Sequence, residues 1–206
     1  MNDIIERIVE KEYTMLDQVN GLGGRASCQD HFSAFRLMRA SQFLVWPEKI
    51  CESYLADLTA AEAIGRNLLF EKYAFMMQTS LPEEFEKVCH MLPRFTREQV
   101  DRMEQIVKIQ VIWAEEFAKH YPVCGGRGRL LHTRQDTPQD TSVETYMRGE
   151  LATYSDSTVQ LYDRFVKDCL AEKRNLTLEV RENQARLEGW KSLEEVERYY
   201  ASREGA

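Results

Sequence analysis

Residues 97–121 set Val100, Met103, Val107, Val111, Ala114, Phe117 and Tyr121 on one helical stripe, and Ile106, Ile109, Ile112 and Trp113 add a second face. An apolar perimeter that wide is satisfied only by neighbours on several sides, so the segment predicts a central helix. Thr96, with Gln99 three residues on, supplies a capping box to open it. Any fold of this chain must wrap other helices around this one.

The rest of the chain offers them. Ile4, Ile5, Ile8, Val9, Tyr13 and Leu16 give a first amphipathic helix over 3–17. Others are expected over 29–46, 47–59, 60–79, 82–90, 177–189 and 192–203, the last opened by a second capping box, Ser192 with Glu195. A long one spans 142–173, with an interruption at Ser155–Asp156–Ser157. Ten glycines and five prolines in 206 residues leave little room for the turns of a β fold. The reading is all-α: one globular domain over 1–206 of seven to nine helices, with 174–206 as a C-terminal helical extension. Residues 122–141, PVCGGRGRLLHTRQDTPQDT, lack periodicity and read as a long loop, either plain linkage or a lid.

Charge narrows the function classes. Lys and Arg total 27 against 34 Asp and Glu, a net charge of -7, which argues against nucleic acid and against an anionic membrane surface. No stretch approaches the about 18 apolar residues of a membrane span, and the acidic, amphipathic start is unlike a secretory signal. Five cysteines (28, 51, 89, 124 and 169), without CxxC spacing, suggest reduced thiols and a cytoplasmic location.

Polar groups on apolar faces mark where chemistry would sit. In HFSAFRLMRASQFLVW, Arg36, Arg39 and Gln42 step at intervals of three among Phe35, Leu37, Phe43 and Trp46. Buried arginines must pair with carboxylates or hold a ligand, and guanidinium is a planar fork suited to carboxylate or phosphate. The helix expected over 60–79 carries Glu62, Arg66, Asn67, Glu71, Lys72 and Tyr73 among apolar residues, with Gly65 at mid-helix suggesting close helix approach. Glu150 shares a stripe with Val143, Met147 and Tyr154, one turn after Tyr146. It is either a general acid or base, or the partner of Arg36 or Arg39.

Weaker signals are GLGGRASC at 21–28, which lacks the GK[ST] ending of a phosphate loop; Cys28 near a helix start; and Glu86/His90 and Glu116/His120 at i,i+4 spacing. No paired Glu-x-x-His motif is present, and the reading includes neither metal nor cofactor.

The blocks GGRASCQDHFSAFRLMRASQFLVW, SYLADL, GRNLLFEKYAFMMQTS and ETYMRGELATYS resemble the bacterial domain-of-unknown-function family 4125 over about residues 4–165. That family is functionally uncharacterised and implies no mechanism. Its members are joined in places to a nucleotidyltransferase-like domain, which implies a metabolic or modification partner. Its polar blocks fall on Arg25, Cys28, Gln29, Arg36, Arg39, Gln42, Arg66, Asn67, Glu71, Lys72, Glu150 and Tyr154.

Two functions remain open. In the first, a cofactor-independent enzyme holds an anionic small molecule on Arg36, Arg39, Gln42, Arg66, Asn67 and Lys72, and Glu71, Glu150, Tyr73 or Tyr154 moves protons. In the second, the polar network is structural and the chain is a non-catalytic module docking a nucleotidyltransferase-like or other metabolic partner. Either is compatible with a homo-oligomer.

Overall fold

The capping box at Thr96 forms as the sequence predicts, each residue's side chain accepting from the other's backbone N–H. The computed structural model describes residues 3–19 and 29–204, which form eleven α-helices, two 3-10 turns and no strand. The helices are α1 (Asp3–Asp17), α2 (Phe32–Phe43), α3 (Glu48–Ala63), α4 (Leu68–Ser80), α5 (Pro82–Val88), α6 (Arg97–His120), α7 (Pro122–Gly126), α8 (Val143–Leu151), α9 (Asp156–Ala171), α10 (Leu176–Leu187) and α11 (Leu193–Glu204). GLGGRASC, with Arg25 and Cys28, lies outside the described residues.

Helix α6 is the centre, with α7, α8, α9 and α10 around it. It buries Met103, Ile106, Val107, Val111, Trp113, Ala114 and Phe117. Its apolar perimeter is narrower than the sequence suggests, since Val100 and Ile112 stand 41% and 50% exposed. On the other side α1 packs against α2, α3 and α4, while α3 meets α9 and α4 meets α8. The main core runs through α1, α2, α3, α4, α6, α8, α9 and the start of α10. A smaller core of Phe117, Ala185, Leu193 and Val196 joins α6 to α10 and α11. Helix α10 docks on α2 and α6, and α11 on α7 and α10.

The eleven helices exceed the expected seven to nine for identifiable reasons. The 142–173 segment divides at Ser155, whose hydroxyl accepts from the Thr158 N–H at 3.3 Å and starts α9. The expected loop opens with the short α7.

The helix expected over 60–79 does not exist as one element. Arg66 N–H donates to the Ala61 carbonyl at 2.9 Å, Gly65 N–H to Glu62 at 3.1 Å, and Gly65 sits at φ +72°, so α3 stops there. A Cβ on Gly65 would meet nothing within 4 Å: left-handed backbone is the reason for this glycine, and close approach is not. With the helix divided, Glu62 pairs with Lys11, and Arg66 with Glu71.

The 122–141 segment is tied down rather than structureless. Asp136 accepts from Thr79 Oγ1 at 2.6 Å, Thr145 Oγ1 at 2.5 Å and the Ser142 N–H at 2.7 Å. Burial pushes its carboxyl up, but these donors outweigh that and hold it below the usual range. Arg148 grips Glu104 of α6 with two bonds, and Glu144 and Thr133 with one each. Val143 N–H closes on the Leu130 carbonyl at 2.7 Å.

Among the described residues no helix is long and apolar enough to cross a membrane, and Cys51, Cys89, Cys124 and Cys169 are free thiols.

Candidate functional site

The apolar face of α1 (Ile5, Ile8, Val9, Met15 and Leu16) contains one carboxylate, Glu12. It faces Arg39, which α2 presents between Phe35 and Phe43. Arg39 Nε donates to Glu12 Oε2 at 2.6 Å and Nη2 to Oε1 at 2.5 Å, the bidentate fork that guanidinium geometry favours. Nη2 also reaches Glu150 Oε1 at 2.6 Å, and Nη1 reaches Gln42 Oε1 at 2.7 Å. Two tyrosines complete the carboxylates: Tyr54 donates to Glu12 at 2.8 Å and Tyr154 to Glu150 at 3.0 Å.

Glu150 is brought in by a glycine. A Cβ on Gly149 would lie 2.8 Å from the Lys72 carbonyl and 2.9 Å from Met76 Cγ, so only glycine lets α8 sit this close to α4. Lys72 then forms an ion pair with Glu150 Oε2 and donates to Tyr146 Oη at 2.6 Å. The Lys72 ammonium lies 3.9 Å from the centre of the half-buried Tyr146 ring, and the loop residue Arg129 lies 4.6 Å from the same ring.

The cluster is sealed and electrically balanced. Its two cations and two carboxylates have side-chain exposures of 6% (Arg39), 4% (Lys72), 0% (Glu12) and 1% (Glu150). Burial pushes the Glu150 carboxyl up, but the adjacent Arg39 and Lys72 charges outweigh it and hold it at about 2. Burial opposes the charges on Arg39 and Lys72, and the facing carboxylates overcome it, so both stay protonated beyond their ordinary range. The Tyr54 and Tyr154 phenols are pushed well up, first by burial and then by the neighbouring carboxylates. None of these five groups changes charge near neutral pH.

Of the ten residues singled out by sequence, five meet here: Arg39, Gln42, Lys72, Glu150 and Tyr154. Tyr73 is adjacent, its ring centre 5.9 Å from the Lys72 ammonium. The rest do not join. Arg36 holds Glu6 near the surface, the two side chains 41% and 29% exposed, because steps of three fall short of a 3.6-residue turn and drift around the helix. Arg66 and Glu71 form a separate bidentate pair. Asn67 caps α4 through the Phe70 N–H at 2.9 Å and ties it to the Met15 carbonyl at 2.7 Å. Gln29, from the neighbouring motif, closes the end of α1 by donating to the Leu16 and Val19 carbonyls.

Glu12, Arg39, Gln42, Tyr54, Lys72, Glu150 and Tyr154 thus form one network drawing on five helices, while Arg36 and Arg66 sit in separate pairs. The family described as "Protein of unknown function (DUF4125)" matches residues 2–198.

The chain belongs to that family.

No curated protein and no solved structure matches it.

Sequence reasoning missed two members of the cluster in this DUF4125 chain, Glu12 and Tyr54. Glu12 had a readable signal: it continues the Ile5, Ile8/Val9, Met15/Leu16 stripe, where a carboxylate has no bland reason to be. Tyr54 had none, since a tyrosine on an amphipathic helix is ordinary, whereas Tyr146 was marked by its place one turn before Glu150. Among the described residues no group of three or more His, Cys, Asp or Glu could hold a metal ion.

Proposed function

We propose that this DUF4125 chain is a non-catalytic helical module. Its buried arginine–carboxylate network is a structural keystone, and its biological task is to dock a nucleotidyltransferase-like or other metabolic partner. The observation that carries this reading is the balance of the cluster: two cations, two carboxylates and two hydroxyl donors, nearly all out of water, with Glu150, Arg39, Lys72, Tyr54 and Tyr154 each driven away from titration near neutral pH. General acid–base work needs a group poised near the working pH, and Glu150 and Tyr154 are driven away from it in opposite directions. The kind of partner rests on the family resemblance.

A second reading keeps the enzyme. Lys72 lies directly beneath Tyr146, and Arg129 of the 122–141 segment covers the same ring, so movement of this segment with Tyr146 would uncover Lys72, Glu150 and Arg39. In that reading the segment is a lid, an anionic substrate takes the cations, and Glu150 or Tyr154 handles protons once their partners are displaced. Arg66 with Glu71, and Arg36, would serve at the rim.

Two experiments separate these. The first is thermal unfolding of wild type and Arg39→Met across amino acids, organic acids and nucleotides. The second is sizing of the chain mixed with a nucleotidyltransferase-like protein from the same genome. The module reading expects a complex by sizing and no ligand shift that depends on Arg39. A shift that vanishes in a folded Arg39→Met, with no complex formed, would replace it with the enzyme reading.

A further inference from the structure

A second arginine, Arg181 of α10, lies in a different environment. A cavity of about 210 Å³, part open to solvent, lies among α6, α7, α10 and α11. Phe117, Leu193 and Val196 line its apolar side. Arg181 lines its polar side, and its guanidinium is satisfied only in part: Nη1 donates to Gln184 Oε1 at 3.0 Å, and the group lies 5.8 Å from the centre of the Phe117 ring. Among the described residues Arg181 makes no ion pair, and Nη2 has no hydrogen-bond acceptor. Glu188, also at the cavity, is exposed and engaged by the Gln184 amide at 3.2 Å. Nη2 faces Gly128, where a Cβ would come within 3.4 Å, so bare backbone stands there.

We infer that this cavity binds a small organic anion, whose carboxylate or phosphate oxygens accept from Arg181 Nη2 and whose apolar body lies against Phe117, Leu193 and Val196. A guanidinium with an open edge beside an apolar wall is the chemistry that recognises such a ligand. Burial holds the Arg181 pKa below its ordinary value, as for a cation that an anion would relieve. The volume lies below the ~300 Å³ at which drug-sized sites begin, which selects a ligand of a single ring or a short branched chain. Cys124 at the same cavity is no nucleophile: burial, and then its hydrogen bond to Glu197, push the thiol up to about 12. The site recognises rather than reacts. Because α11 meets the body at α7, at α10 and at Phe117 of α6, around this cavity, filling the cavity also fastens α11 to the body.

The test uses benzoate, inorganic phosphate and benzyl alcohol at matched ionic strength, read by thermal unfolding and calorimetric titration of the whole chain. Benzoate near saturation is expected to raise Tm by several degrees, and benzyl alcohol to leave it unchanged. Arg181→Met should abolish the shift, and Arg181→Lys should weaken binding more than tenfold by removing the fork. Phosphate acting as strongly as benzoate would assign the site to phosphate esters; benzoate alone would assign it to carboxylates. No shift with either anion, or a shift kept in Arg181→Met, overturns the proposal. So does unchanged affinity in Arg181→Lys, which keeps the charge and does not depend on the Met variant folding.

Discussion

Arg39 and Arg181 lie on two helices that pack against each other, α2 and α10, yet they are opposite solutions to placing a guanidinium away from water. Arg39 is enclosed by Glu12 and Glu150, both within hydrogen-bond reach, and its surroundings are neutral overall. Arg181 has a carboxamide and an aromatic ring where Arg39 has two carboxylates. A buried charge that is fully paired holds a structure together, whereas one left partly unpaired at a cavity is a place for a ligand. The number of carboxylates within reach separates the two cases, and so does depth, since Arg39 is buried and Arg181 half-buried.

The largest expected effect tests the paired region. Arg39→Met leaves two buried carboxylates with only Lys72 between them, and should cost about 3–5 kcal/mol, roughly 10–15 °C in Tm, by denaturant and thermal unfolding. Adding Glu12→Met should restore a substantial part, since the Lys72–Glu150 pair then stands alone and balanced. A double variant no more stable than the single one would break the comparison.

Acid comes next. Glu150 sits at about 2 when folded and near the ordinary ~4.3 when unfolded, so its contribution is complete above ~4.3 and is lost as pH falls through about 2. Across that window stability should fall by on the order of 3 kcal/mol beyond the background of exposed acids, and Glu150→Gln should flatten the slope. An identical acid limb in that variant would remove Glu150 from the account.

Gly149→Ala places a methyl 2.8 Å from the Lys72 carbonyl, a backbone atom that cannot step aside, and should cost about 1–3 kcal/mol. The change should also loosen the Lys72–Tyr146 contact, visible as faster amide exchange in α8. Smallest is Arg36→Met: its pair with Glu6 is exposed and screened, and should be worth at most about 1 kcal/mol.

How far the sequence reached differs by level. The helical class and the α6 capping box were readable because periodicity and side-chain caps are local. Gly65 was misjudged because a mid-helix glycine and a helix-ending glycine look alike until the 5→2 and 6→1 bonds around it are known. Arg39, Lys72 and Glu150 were legible as polar residues on apolar faces. That they form one network was not, since it depends on how α1, α2, α4 and α8 converge. Glu12 could have been found from its stripe. Arg181 could not: nothing local distinguishes an arginine lacking a carboxylate from one among the paired arginines of an ordinary surface helix.

The most direct test compares the ligand-free Tm of Arg39→Met and Arg181→Met by calorimetry. Opposite behaviour is expected: a fall of roughly 10 °C or more for the first, and a Tm unchanged or raised for the second, which loses a poorly paired cation and keeps an apolar stem against Phe117. Comparable falls in both would contradict it, because Arg181 would then be as much a structural group as Arg39.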